Sequence, residues 1–212
     1  MRRRILALVA LAALLVPAIP VAAADVSNDS GEALVAQAFW GVSDETGAGG
    51  WGLVAASIQD GQRRLFLYEQ SAVAATCDNG TPGDLSDDRP GLQGTFRFAD
   101  GPADVNLAAN LKAGSASAIL TIESGVIDAC AGLQFTAVEP GVAVSLELTT
   151  TGERDRWTDR FSERLPGEFN SLQVLRSFSY RATGTLVIGG EVSSLELGLI
   201  SRNRWNSHFN GR

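Results

Sequence analysis

Apolar and polar side chains alternate with a period of two along much of the chain. Val142, Val144, Leu146 and Leu148 alternate with Ala143, Ser145, Glu147 and Thr149. Val105, Leu107, Ala109 and Leu111 alternate with Asn106, Ala108 and Asn110, and Ala116, Ala118, Leu120 and Ile122 with Ser117, Thr121 and Glu123. Each stretch puts apolar side chains on one sheet face and polar ones on the other. Further strands are expected at 34–42, 51–58, 64–76, 92–98, 126–138, 172–188 and 192–200. Turn signals fall at Asp60-Gly61, Asp100-Gly101-Pro102, Ala113-Gly114, Glu139-Pro140-Gly141 and Gly189-Gly190. About ten short strands with hairpin-sized gaps predict an all-β fold, an antiparallel β-sandwich or an up-and-down β-barrel. Both architectures need one apolar face per strand, so the pattern leaves the two open.

Residues 153–165 fit two periods. Trp157, Phe161 and Leu165 have helical spacing. Strict alternation also holds, with Asp155, Trp157, Asp159, Phe161 and Glu163 against Arg154, Arg156, Thr158, Arg160 and Ser162. A helix would stack like charges four residues apart, at a cost of a few tenths of a kcal/mol per pair. That favours an extended hairpin turning at Pro166-Gly167. Its legs, running from Val142 to Ile188, would outrun an ordinary strand and project an arm. The arm bears Trp157, Phe161, Arg156 and Arg160, residue types that dominate binding hot spots, and is the expected binding surface, the alternative being that the segment folds back and buries Trp157 and Phe161 over the core.

The start of the chain changes the setting. Arg2, Arg3 and Arg4 precede an apolar run from Ile5 to Val16, and Ala22 and Ala24 form an A-x-A cleavage pattern. The run is shorter than the roughly 20 residues of a membrane span and ends at Pro17. Residues 1–24 therefore read as a signal peptide, followed by a single β-domain over 25–212 that is secreted or held in the cell envelope, with no transmembrane segment. Cys77 and Cys130 are the two cysteines, and in an exported chain they are expected to form a disulfide. The formal net charge is −7, and loss of the three leader arginines takes it to −10. Such a balance disfavours nucleic acid as a partner.

Catalytic chemistry finds little footing. His208 is the single histidine, four residues from the end. No nucleophile elbow, zinc-binding helix motif or phosphate-binding glycine loop occurs. Glu123 and Glu147 are strand-borne acids expected to face solvent. Paired carboxylates for glycoside hydrolysis can come from different strands, so a carbohydrate-active hydrolase stays open as an alternative. The densest polar loop contains Asp78, Asn79, Asp84, Asp87 and Asp88. Calcium is the cation such flexible oxygen carriers would take, although the spacing matches no EF-hand and such residues also suit solvated turns. No other cofactor is indicated.

The Leu146–Gly152 strand, the Arg- and Ser-bearing stretch after it, Arg181-Ala-Thr-Gly-Thr185 and Leu199-Ile-Ser-Arg-Asn-Arg-Trp205 carry a resemblance. In this last third the chain resembles uncharacterised exported all-β proteins of actinobacteria. The resemblance implies an extracellular β-module and transfers no catalytic residue. The expected function is a non-catalytic module that binds a protein or glycan or has a structural role. The alternatives are a barrel enclosing a small apolar ligand and the hydrolase.

Overall fold

A computed structural model describes residues 26–43, 49–78, 88–165 and 169–211. The expected signal peptide at 1–24 lies outside the described residues. Nine strands follow in order: β1 (Val26–Ser43), β2 (Gly49–Gln59), β3 (Gln62–Cys77), β4 (Arg89–Pro102), β5 (Asp104–Leu107), β6 (Ala113–Asp128), β7 (Gly132–Leu165), β8 (Phe169–Ile188) and β9 (Glu191–Gly211). Each pairs antiparallel with its neighbours in the order β4-β3-β2-β1-β9-β8-β7-β6-β5, and a further β4–β6 pairing joins the two ends. The sheet therefore closes. Short β5 continues the line of β4 and pairs with the start of β6. The result is an up-and-down barrel of eight staves, which settles the choice between barrel and sandwich.

The inward row follows the alternation seen in the sequence. Large side chains come from β3, β6 and β7, among them Leu65, Leu67, Leu120, Val144, Leu146 and Leu148. Opposite them β1, β2 and β8 contribute Ala36, Ala38, Ala56 and Ala182. Eight strands enclose a lumen just wide enough for side chains to fill, and small residues facing large ones achieve it. Each fully buried Leu stabilises the barrel by about 1.5–3 kcal/mol. The two ends are plugged differently. At one end Leu111, at a φ of 57°, turns into the core and is 2% exposed. Its turn is held by its own N–H donating to the Ala108 carbonyl and by the Lys112 N–H donating to Asn110 Oδ1. At the other end the Trp40 ring lies flat over Gly52, where any Cβ would collide with it. Beside it the Trp40 indole and Arg97 Nη1, 3.1 Å away, both donate to the buried Glu69 carboxylate.

One turn signal, the one ending in Gly141, proves to be a bulge. Asp60-Gly61 and Gly189-Gly190 do form tight hairpins with positive φ at both positions. Gly141, at φ 78°, instead sits where the β6–β7 register slips, and Gly152, at φ 93°, where β7 slips against β8. A bulge needs the same left-handed backbone as a turn but lets the strand continue. Three expected segments thereby fuse into one 34-residue strand, β7. The expected 126–138 strand is divided instead, by a turn at 129–131. There Asp128 Oδ1 accepts from the N–H groups of Cys130 and Ala131 at 2.9 and 2.8 Å. The expected Val105–Leu111 strand stops at Leu107, because Leu111 leaves the ladder to plug the barrel.

Candidate anion-binding face

Two four-stranded extensions outrun the barrel at opposite ends, and β7 takes part in both. β7 pairs with β6 only as far as Thr149; beyond it β8 is its sole neighbour. β9 runs on between β8 and the first residues of β1, whose pairing with β2 begins only at Ala33. The strands β7-β8-β9-β1 thus form an open sheet with edges at 151–165 and 26–32. The Glu153–Leu165 segment is strand throughout, as the charge argument favoured, and it is backed by three further strands rather than one.

Register fixes what each face carries. The inner face continues the barrel lining: Tyr180 pairs with Ile200, Phe178 with Arg202, and Arg176 with Arg204. Arg156 lies opposite Phe178, and Leu34 and Glu32 lie opposite Arg202 and Arg204. Arg156, Arg176, Phe178, Arg202 and Arg204 line one concavity of about 290 Å³. Arg154 and Arg160 share this face by the two-residue period. The opposite face carries Asp155, Trp157 and Asp159. The sequence expectation grouped Trp157 with Arg156 and Arg160 as one surface, but the pleat sends them to opposite sides. Trp157 is 45% exposed on the outer face. Phe161 pairs with Gln173, and its side chain lies outside the described residues.

Counter-charges on the inner face are few. Glu32 is shared: Arg202 Nε lies 3.2 Å from its Oε1, and Arg204 Nε pairs with its Oε2. The first contact is not aligned as a hydrogen bond, so Arg202 Nε is buried without one. Arg202 Nη2 donates to the Ala109 carbonyl at 3.0 Å, tying the extension to the plugged end of the barrel. Among the described residues no carboxylate pairs with Arg156 or Arg176. Arg181 pairs with Glu153 at 2.9 Å and belongs to the outer face. The Asp carboxylates of β7 serve its backbone instead: the Arg156 N–H donates to Asp155 Oδ1 at 2.7 Å and the Arg160 N–H to Asp159 Oδ1 at 2.8 Å. Arg156 and Arg176, which no described carboxylate meets, can each grip a planar anion through two parallel hydrogen bonds.

The remaining candidates are dispersed. Cys77 and Cys130 are bonded, with Cα atoms 4.9 Å apart, at the end opposite the arginines. Asp78 and Asp88 flank the acidic loop, whereas Asn79, Asp84 and Asp87 lie outside the described residues. Among the described residues no three His, Cys, Asp or Glu side chains gather as a metal site. Glu147 pairs with Ser115, eight residues along β6 from Glu123. That is about 26 Å of strand, too far for two carboxylates to act on one glycosidic bond. His208 is exposed on β9. Burial raises the Glu69 carboxyl above its ordinary value, against the opposing pull of Arg97 and Trp40. Two donors, Arg97 and Trp40, hold it in place, which fits a polar plug better than a proton carrier. Among the described residues no helix is long and apolar enough to cross a membrane.

Sequence reasoning overlooked Arg176, Arg202 and Arg204 as site residues. The alternation does separate Arg154, Arg156 and Arg160 from Asp155 and Asp159. The chain matches no family model, no curated protein and no solved structure.

Proposed function

We propose that the protein is an exported, non-catalytic binding barrel whose ligand is anionic and whose ligand site is the inner face of the β7-β8-β9-β1 extension. One observation carries this reading: four arginines converge on a single concavity beside Phe178, and Glu32 is the one carboxylate among the described residues that meets them. The net charge of −7 makes that convergence informative, because a random acidic surface would neutralise it. The disulfide supports export. The barrel's lumen is occupied by its own Leu, Val and Ala side chains, which favours the external face over an enclosed apolar ligand. Isothermal titration with tripolyphosphate, citrate and a heparin octasaccharide tests the proposal. At least one should bind and lose affinity tenfold or more in Arg156→Ala/Arg176→Ala. Binding of neutral Nile red with no binding of any anion would favour the apolar-ligand alternative.

A further inference from the structure

We infer that the anion is an acidic polysaccharide, a linear glycan bearing carboxylate, sulfate or phosphate groups that lies across the extension. The inference rests on the anion-site reading and names its ligand class. The extent of the charged face is the first ground. Arg154, Arg156 and Arg160 occupy one face of β7 over about 20 Å of strand, at about 3.3 Å per residue. Arg176 and Arg204 add a cross-row of adjacent strands about 5 Å apart. A small anion would engage the 290 Å³ concavity and leave Arg154 and Arg160 unused.

Openness is the second ground. The face ends on two strand edges with no further neighbour among the described residues, so a polymer can enter at one side and leave at the other. A third ground separates glycan from peptide. A peptide adding to the β7 edge would need its free N–H groups, and those of Arg156 and Arg160 are already taken by Asp155 and Asp159. The aromatic content separates glycan from single-stranded nucleic acid. Successive bases need a series of open stacking platforms. Here Phe178 is the one aromatic ring among the described residues that line the concavity, with Tyr180 set edge-on to it at 5.1 Å. One half-buried ring among guanidinium forks suits the apolar face of one sugar ring whose charged substituents reach the arginines.

The test titrates the full chain with two oligosaccharide series, heparin-derived and oligogalacturonate, each at two, four and eight sugars. Tripolyphosphate and a dT octanucleotide are the comparison ligands. Affinity should rise at least tenfold from disaccharide to octasaccharide in one series or both. Arg160→Ala should weaken the octasaccharide several-fold and leave the disaccharide unchanged, while Arg181→Ala changes neither. Melting temperatures establish that each variant is folded, and Arg156→Gln/Arg176→Gln replaces the alanine pair if that pair is not. Tripolyphosphate or disaccharide binding as tightly as the octasaccharide would overturn the polymer inference and leave the anion site standing. Tighter binding of the octanucleotide would replace glycan by nucleic acid. Binding of no anion would remove both proposals.

Discussion

The barrel carries an extension at each end, and the two are built to opposite specifications. At the disulfide end, β3, β4, β6 and β7 run past the barrel with an uncharged outer row: Leu92, Leu133, Phe135 and Val138 over a buried Phe96 and Ile127. Phe96 is 2% exposed and meets Phe135 edge-on at 5.1 Å. The Cys77–Cys130 bond ties the end of β3 to the β6–β7 turn, and Asp128 holds that turn. At the other end the inner face of the extension carries arginines, and its sheet is fastened by Glu32, by Arg202 on the Ala109 carbonyl and by the Trp205 ring over Gly31. One strand, β7, supplies Leu133 and Phe135 to the first and Arg154, Arg156 and Arg160 to the second. The contrast teaches that the disulfide end is made for stability. The arginine end instead holds, at Arg156 and Arg176, charge that no carboxylate among the described residues neutralises.

That difference can be broken most forcefully at the disulfide. The bond closes a loop of 53 residues, worth about 4 kcal/mol in the chain-entropy account. Cys77→Ser should lower the urea unfolding free energy by roughly that amount. A loss below about 1 kcal/mol would show that the disulfide end needs no staple. Phe96→Ala should cost at least about 3 kcal/mol, as buried aromatics do. Trp157→Ala and Arg176→Ala, both on the arginine end, should each stay within about 0.5 kcal/mol. If Trp157→Ala proves as costly as Phe96→Ala, the arginine extension is part of the core and the contrast collapses.

The pH dependence sharpens the picture at the Glu69 plug. Burial raises its folded pKa above the ordinary 4.5, so the protonated form is the one the fold prefers. Its contribution is complete below the unfolded pKa and is lost as pH rises through the raised folded value. Glu69→Gln, which mimics the protonated carboxyl, should therefore gain stability relative to the parent as pH climbs from 4.5 toward neutrality. A gap that narrows in the opposite direction would show that the bonds from Arg97 and Trp40 outweigh desolvation.

Much of the barrel was legible in the chain. The Val142–Leu148 and Ala116–Ile122 alternations give the inward rows of β7 and β6, and Asp60-Gly61 and Gly189-Gly190 give two of the hairpins. Gly141 misled because bulges and turns ask for the same positive φ, and only the cross-strand register tells them apart. Closure was hidden for a related reason. The β4–β6 seam joins Gly94–Phe98 to Glu123–Ile127, a pairing between strands whose local patterns do not specify each other. Half of the arginine face was legible too, since a period of two already puts Arg154, Arg156 and Arg160 opposite Asp155 and Asp159. The rest needed the register of β8 and β9, which brings Arg176, Arg202 and Arg204 to the same face from positions up to about fifty residues away.

The most direct test of the arginine face compares binding at two salt concentrations. Isothermal titration of the heparin octasaccharide at about 50 and 200 mM salt should show affinity falling steeply for the parent, because each arginine that meets an anionic group releases a counterion. In Arg156→Ala/Arg176→Ala the affinity should drop at least tenfold at the lower salt and the salt dependence should flatten. An unchanged affinity and slope in that folded double variant would contradict the assignment of the ligand site to this face.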